Sequence, residues 1–150
     1  MILYKGSKLN MSPFQPQPVH PDDYHKFLAP IPQKVLFASD SEIEAKIFAT
    51  FSGIIPFETH TTSKKPNITI ILNDEIEPIA LKEKVYLYKF DSKQDGWKYI
   101  KESREWYNQT EQTPIGIQEY TREDLYTELK ENHEIIFKEH YQKEEYMPII

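Results

Sequence analysis

Hydrophobic residues along this chain occur in short runs and periodic groups, separated by polar and proline-rich segments. The clearest helical period follows Ser39, where apolar residues recur at a spacing of three or four. These apolar residues share one predicted helix face: Ile43, Ile47, Phe48 and Phe51. Ser39 and Glu42 have the spacing of a capping box, and Gly53 offers a stop after the last turn. The pattern predicts a helix that is capped by Ser39 and ends before Gly53.

Several short runs rich in β-branched and aromatic residues predict strands. They cover residues 2–4, 34–38, 67–73, 84–90, 114–120 and 134–138. The run at 84–90 is largely apolar on both faces, which indicates a central position in a sheet. Thr121 is placed to cap a second, shorter helix that carries Leu125 and Leu129. Residues 97–107 are ambiguous between strand and helix.

The segment from residue 12 to residue 33 is rich in proline, since six of the chain's 11 prolines lie between Pro13 and Pro32. Proline fixes its own φ and pushes the preceding residue toward extended geometry, so the segment is predicted as an ordered or semi-ordered loop rather than a helix. The order of elements indicates one compact α+β domain over residues 1–150, rather than a doubly wound sheet. The charged stretch at 138–145 is interpreted as solvated surface.

Composition excludes several classes of function. The chain has only 4 glycines and lacks the Gly-rich pattern of a P-loop or a dinucleotide-binding turn. It has no cysteine, which excludes thiolate metal sites and cysteine nucleophiles. A net charge of −6 argues against a nucleic-acid partner, because such binding needs clustered Lys and Arg. No apolar run is long enough to span a bilayer and no signal peptide is apparent, so we expect a cytoplasmic protein without a membrane partner.

Histidine and aspartate side chains concentrate at residues 20–25, and both residue types ligate divalent metals. The stretch is short and punctuated by Pro21, and no distant ligand group is evident. The sequence therefore gives no reason to assign a metal site.

Residues 3–7 read Leu-Tyr-Lys-Gly-Ser, and residues 35–39 read Val-Leu-Phe-Ala-Ser ahead of a helix that contains Ala45. The first block resembles the Tyr-His-Gly-Ser/Thr that begins small ADP-ribosyltransferase-fold proteins, the rifampin ADP-ribosyltransferases among them. The second resembles that family's aromatic-Phe-Ser/Thr-Ala strand, which leads into a helix. Stretches at 85–88 and 103–115 have counterparts in bacterial and phage members. The order and spacing of the blocks carry the resemblance more than any single block does.

The resemblance implies two small antiparallel or mixed sheets with a few short helices, and NAD bound as a substrate in the cleft between the sheets. In this family a strand glycine holds the nicotinamide carboxamide through its backbone. The matching residue here is Gly6, whose missing Cβ is expected to let the ligand approach the backbone closely. An aromatic residue of the second block stacks on the nicotinamide ring. Its position is occupied by Leu36, while Phe37 lies one residue further on and on the opposite face of a strand. The candidate NAD-binding residues are Tyr4, Gly6, Ser7, Phe37 and Ser39.

Enzymes of this family cleave the bond between nicotinamide and ribose through an oxocarbenium-like transition state. The family histidine that orients a ribose hydroxyl is replaced here by Lys5, whose positive charge is unfavourable beside a developing cation. A carboxylate should stabilise that cation, and Glu105 is the first candidate and Asp95 the second. The resemblance therefore implies a protein that binds NAD or an ADP-ribose-type ligand and whose transferase activity is altered or lost.

A second class of function stays open. Ten tyrosines and a charge of −6 also fit a non-catalytic accessory protein of phage or bacterial type that docks on a protein partner. Under this interpretation Lys5 is a solvated lysine near a strand end and Phe37 is a core residue. A cleft around Gly6 favours NAD binding, and a filled core there favours the interaction protein.

Overall fold

The computed structural model describes residues 1–28, 30–62 and 67–139. Residues 140–145 of the charged stretch that is predicted to be solvated surface lie outside the described residues. Within these ranges the strands are β1 (Ile2–Ser7), β2 (Gln17–Pro18), β3 (Lys34–Ala38), β4 (Phe57–Thr61), β5 (Ile68–Leu72), β6 (Lys84–Asp91), β7 (Lys98–Ile100), β8 (Glu105–Asn108), β9 (Gly116–Thr121) and β10 (Ile135–Glu139). The helices are a 3-10 helix (Pro21–Lys26), α1 (Glu42–Phe51), α2 (Pro78–Leu81) and α3 (Arg122–Glu131). The α+β class is confirmed.

The described strands form three small sheets rather than the two that the resemblance implies. Their strand orders are β1-β6-β9, β10-β5-β4 and β2-β3-β8-β7. β10 runs parallel to β5, and the pairing of β4 with β5 is antiparallel. The additional sheet exists because β5 has an apolar face that α1 and α3 cover, so its strands pair with each other and not with the sheets around β1 and β3.

Two large apolar clusters and a small one of Ala49, Val85 and Leu125 support these sheets. The aliphatic core lies between α1, α3 and the β5 sheet and comprises Ile47, Phe51, Ile55, Ile68, Ile70, Leu72, Leu129 and Ile135. The aromatic core lies between the β1 and β3 sheets and comprises Leu3, Phe14, Leu36, Ala38, Tyr86, Tyr88 and Phe90. The prediction that residues 84–90 form a central strand is confirmed, since β6 lies between β1 and β9.

Helix α1 begins later than predicted, because Ser39 is held in extended backbone by paired hydrogen bonds with Tyr4. The N-cap is Ser41, whose hydroxyl accepts a hydrogen bond from the Glu44 amide at 3.2 Å. Ser39 instead accepts from the Ser41 amide and donates to the Glu44 carboxylate. Gly53 has a φ of 81° just beyond the helix, as expected of a stop.

The buried face of α1 is only partly the predicted one. Ile47 and Phe51 are buried in the aliphatic core, but Phe48 is 51% exposed. The helix instead buries Ala45 and Ala49, whose small side chains let its backbone approach β1 closely. Large apolar residues define the face toward the aliphatic core, and small residues define the face toward β1.

Part of the proline-rich segment packs into the aromatic core, in agreement with an ordered loop. Phe14 is buried and packs edge-on against Tyr88, with ring centroids 4.9 Å apart. The Tyr88 hydroxyl donates to the Leu9 carbonyl and accepts from the Met11 amide. The prediction that this segment contains no helix is wrong, because residues Pro21–Lys26 form a 3-10 helix. The fixed φ of Pro21 suits the first position of a helix.

The ambiguous stretch at 97–107 forms a hairpin of β7 and β8. The turn between these strands ends at Arg104, which has a φ of 56°, immediately before Glu105. The second helix is confirmed as α3, with Thr121 as its N-cap and with Leu125 and Leu129 buried.

Candidate active site

The β1 and β3 sheets touch at one point and then separate. Tyr4 and Ser39 exchange two backbone hydrogen bonds, of 2.7 and 2.8 Å. Continuing this antiparallel pairing would place Gly6 opposite Phe37, but the described strands form no ladder beyond the Tyr4–Ser39 bridge. Backbone groups of successive residues on a strand point to opposite edges, so the N–H and C=O of Gly6 point, like those of Tyr4, toward β3 rather than β6. The result is a cleft with an open backbone edge.

The cleft opens into a cavity of about 440 Å³. Its walls come from residues 4–9, from residues 37–39, from one side of α1, and from Lys26, Glu105 and Arg122. A volume of this size is typical of small-molecule sites, which lie within roughly 300–1,000 Å³. The site is therefore large enough for a ligand and is bounded by β1, β3, α1, the 3-10 helix, β8 and α3.

Gly6 is required by helix α1 rather than by open space for a ligand on its Cα. A Cβ added at Gly6 would lie 2.1 Å from the carbonyl oxygen of Ala45 and 2.7 Å from the Cβ of Ala49. This corrects the sequence-based explanation, in which the missing Cβ admits the ligand. The backbone edge of Gly6 still faces the cleft, because the helix covers a face of β1 and not its edge.

Lys5 reaches into the cleft from β1. Its Nζ donates a hydrogen bond of 3.1 Å to the carbonyl oxygen of Phe37, the group that Gly6 would bond if the sheets had stayed paired. The same Nζ lies 5.3 Å from the ring centroid of Phe14. Burial lowers the pKa of Lys5 to about 8 from its usual 10.5, and the nearby Glu105 carboxylate acts in the opposite direction.

Glu105 is held by a lysine that the sequence did not indicate. The Nζ of Lys26 lies 2.6 Å from the Oε1 of Glu105 and 3.0 Å from the Oδ1 of Asp23. It also lies 5.2 Å from the ring centroid of Phe37. Burial alone would lower the pKa of Lys26, but the hydrogen bonds with Glu105 and Asp23 outweigh it and raise the pKa. This network joins the proline-rich segment to β8 across the cavity.

Arg122 closes the far side of the cavity and is almost fully buried. Its Nη1 donates to the carbonyl oxygens of Ala49 at 2.9 Å and Thr50 at 3.1 Å, near the C-terminal end of α1. A cation there complements the helix dipole, and α1 has no basic residue in its own last turn. Burial lowers the pKa of Arg122, and Glu83, 3.9 Å from its Nε, acts in the opposite direction.

The cavity is more cationic than the protein as a whole. Lys5, Lys8, Lys26 and Arg122 line it, against three carboxylates. Those carboxylates are Asp23, Glu44 and Glu105. In a chain of net charge −6, a local excess of positive charge favours an anionic ligand at this position.

The structure gathers most of the site residues predicted from the sequence around this one cavity. They are Tyr4, Lys5, Gly6, Ser7, Phe37, Ser39 and Glu105. Asp95 is not among the described residues that line the cavity; its backbone carbonyl accepts hydrogen bonds from Asn108 and Gln112. Leu36 is buried in the aromatic core and does not line the cavity. The aromatic residue of the 35–39 block that lines the cavity is Phe37, whose ring contacts that of Phe27.

Sequence reasoning missed Lys26, Glu44 and Arg122. Lys26 and Glu44 gave no distinguishing signal, since each is one charged residue among many. Arg122 did give one, because a cation in the first turn of a helix is unfavourable toward that helix's own dipole. A residue retained there against the local preference indicates a partner elsewhere, which proves to be the end of α1.

Comparisons with protein-family models, with curated proteins and with solved structures returned no match. Over residues 1–28, 30–62 and 67–139, no three His, Asp or Glu side chains are grouped so that they could hold a metal ion. The same part of the chain contains no helix long and apolar enough to cross a bilayer.

Proposed function

We propose that this cavity binds NAD or an ADP-ribose-type ligand, and that the protein is ADP-ribosyltransferase-like with altered or lost transferase activity. The observation that carries the proposal is the open backbone edge of Gly6 in the cleft between the two sheets. An extended residue presents its N–H and C=O to the same side, as a donor beside an acceptor. A primary carboxamide such as that of nicotinamide offers the complementary pair.

Charge and aromatic surface support the same ligand class. Four cationic side chains line the cavity against three carboxylates, which suits a diphosphate. Phe37 and Phe48 supply aromatic surface on the β3 and α1 sides of the cavity. Ser7 and Ser39 add hydroxyl groups that can bond to ribose.

The positions of the charges favour binding over transfer. An oxocarbenium-like transition state needs nearby negative charge, yet Glu105 is paired with Lys26 at 2.6 Å, and Lys5 lies in the same cavity. Two ammonium groups beside a developing cation raise the barrier to nicotinamide loss. We therefore expect affinity for the dinucleotide with slow or absent release of nicotinamide.

The alternative of a protein-docking module was suggested by the ten tyrosines and the charge of −6. Tyr86 and Tyr88 belong to the aromatic core, while Tyr24 and Tyr99 are exposed. The described residues around Gly6 enclose a cleft rather than a filled core. The cleft favours the ligand-binding interpretation.

Titration calorimetry with NAD and with ADP-ribose tests the proposal, together with an assay for free nicotinamide. The expected result is saturable heat for at least one of the two ligands. Glu105→Gln should lower any nicotinamide release, while Glu119→Gln, a carboxylate on β9 outside the cavity lining, should leave binding and release unchanged. Absence of heat with both ligands would overturn the proposal.

A further inference from the structure

Lys5 differs from the other lysines that the fold encloses. Lys26 and Lys46 each lie within 4.0 Å of two carboxylates. Among the described residues Lys5 has no carboxylate oxygen at that distance, and the acceptor of its hydrogen bond is the Phe37 carbonyl. It is a cavity-lining amine without an ion-pair partner.

Burial of this amine among the residues that line the cavity disfavours its charge. Its Nζ lies 5.3 Å from the ring centroid of Phe14, a cation–π contact that acts in the opposite direction. Burial lowers the pKa of Lys5 to about 8. A desolvated lysine is the usual form of an amine that attacks carbonyl carbon.

The charged groups that line the cavity with Lys5 come from residue 8, the 3-10 helix, α1, β8 and α3. They are Lys8, Asp23, Lys26, Glu44, Glu105 and Arg122. Of these carboxylates, Glu105 is the one close enough to oppose the effect of burial on Lys5, and it is already paired with Lys26. The Glu105 carboxylate therefore stabilises the protonated form of Lys5 less than it would without Lys26 beside it.

We propose that Lys5 is a nucleophilic amine that forms an imine with the aldehyde of a reducing sugar phosphate, with ADP-ribose as the ligand suited to this cavity. The inference rests on the proposed function and narrows its ligand. ADP-ribose has a free anomeric carbon that opens to an aldehyde. The corresponding carbon of NAD is bonded to nicotinamide and cannot react in this way.

The step balances without an oxidant or reductant. The nitrogen lone pair of neutral Lys5 attacks the aldehyde carbon, forming a C–N bond as the C=O π bond breaks. The two protons of the amine pass to the carbonyl oxygen, which leaves as water. The product is a C=N bond between Lys5 and the open-chain sugar, and hydrolysis reverses the step.

The test is reductive trapping on the unaltered protein. The full chain is incubated with ADP-ribose and sodium cyanoborohydride, which reduces an imine to a stable secondary amine, and the modified lysine is located by peptide mass spectrometry. Lys5 should be labelled on the order of tenfold faster than exposed lysines near neutral pH, because more of it is neutral there. Its labelling should rise as the pH approaches 8 and then level off.

Lys5→Arg keeps the charge but should abolish the fast labelling, and its folding is checked by circular dichroism. Lys89→Arg, on β6 of the same sheet and outside the cavity lining, should label like the unaltered protein. Labelling of Lys5 at the rate of exposed lysines would overturn the inference. So would fast labelling that survives in Lys5→Arg.

A second aldehyde separates this inference from the proposed function. Glyceraldehyde is small and uncharged, so its reaction with Lys5 does not require a dinucleotide site. Fast labelling of Lys5 by glyceraldehyde, without saturable binding of either NAD or ADP-ribose, would support the reactive amine and overturn the proposed function. Calorimetric binding of ADP-ribose, without preferential labelling of Lys5 by either aldehyde, would support the function and overturn the amine.

Discussion

The two sides of helix α1 face regions of different chemical character, an apolar core and a cavity lined by charged side chains. Toward the β5 sheet, Ile47 and Phe51 enter an aliphatic core without a charged member. Toward β1, Ala45 and Ala49 lie against Gly6 and border a cavity with seven charged side chains. One helix is therefore fixed by large apolar groups on one side, and it forms a wall of the candidate site on the other.

The residues that stabilise the fold are thus different from the residues that form the candidate site. The aliphatic core is stabilised by removal of apolar surface from water, which is non-directional and tolerates many sequences. The cleft depends on particular backbone groups left open at Gly6 and on a charged network from Lys26 to Glu105. Substitutions on the two sides should therefore differ in kind: large losses of stability on one, and changes of binding on the other.

The largest expected effect is that of Phe51→Ala, compared with Phe48→Ala three residues away. Phe51 is fully buried in the aliphatic core, so its truncation should lower the free energy of unfolding by about 3–5 kcal/mol. Phe48 is 51% exposed and lines the cavity, so its truncation should cost about 0.5 kcal/mol and weaken binding of ADP-ribose. Urea denaturation and calorimetry measure the two quantities. Equal losses of stability would contradict the division between the two sides.

Gly6→Ala should give the next largest effect, because it affects both quantities at once. Its Cβ would meet backbone, the Ala45 carbonyl oxygen at 2.1 Å, so α1 has to move away from β1. The expected cost is about 1–3 kcal/mol, with loss of ligand affinity in the folded fraction.

Gly116→Ala is the matched control for that substitution. Its nearest contact is the flexible side chain of Lys89 at 3.8 Å, so it should be neutral or stabilising by about 0.4–1 kcal/mol. If Gly6→Ala were as well tolerated as Gly116→Ala, the close approach of α1 to β1 would not be what requires glycine at position 6.

The aliphatic side could be predicted from the sequence because its signal is local. The spacing of Ile47 and Phe51 indicates a helix, and the β-branched run at residues 67–73 indicates a strand. Neither inference needs knowledge of the partner element. The cap was misplaced, because Ser39 is held by Tyr4, a residue 35 positions earlier in the chain. The edge strand β4 of this sheet was not predicted at all.

The cavity side could be predicted only through the family resemblance, which pointed to Gly6, Phe37 and Glu105. The contribution of Lys26 depends on how the proline-rich segment folds across β8, and nothing local to Lys26 carries that information. Phe48 was assigned to the core because its spacing is helical, but spacing does not say whether large or small residues form the packed face. Contacts between residues that are distant in the sequence determine both the role of Lys26 and which face of α1 is packed.

A third, smaller effect is a pH dependence of the free energy of unfolding, which we expect from Lys5 on the cavity side. The folded pKa of Lys5, about 8, is below its usual 10.5, so between these values the unfolded state binds more protons. Stability should therefore rise with pH from about 8 toward 10.5, and the penalty of burying the charge is fully present below 8. Lys5→Met should flatten this part of the profile of unfolding free energy against pH. An unchanged profile in Lys5→Met would mean that the amine is well solvated.

The smallest expected effect compares two lysines in similar networks on the two sides of the domain. Lys26 and Lys46 have side chains that are 17% and 16% exposed, and each pairs with two carboxylates. Lys26→Gln and Lys46→Gln should each cost about 0.2–1 kcal/mol in urea denaturation, and less at high salt, because partly exposed ion pairs are screened.

The two lysine substitutions should separate only at the cavity. Lys26→Gln leaves the Glu105 carboxylate without its 2.6 Å partner and removes one cation from the cavity wall. Affinity for the diphosphate should fall, while release of nicotinamide from NAD should rise above that of the unaltered protein, because the freed carboxylate can stabilise a developing cation. Lys46→Gln, whose partners Glu42 and Glu128 do not line the cavity, should change neither quantity. Release that stays constant or falls in Lys26→Gln would mean that Lys26 does not restrain Glu105.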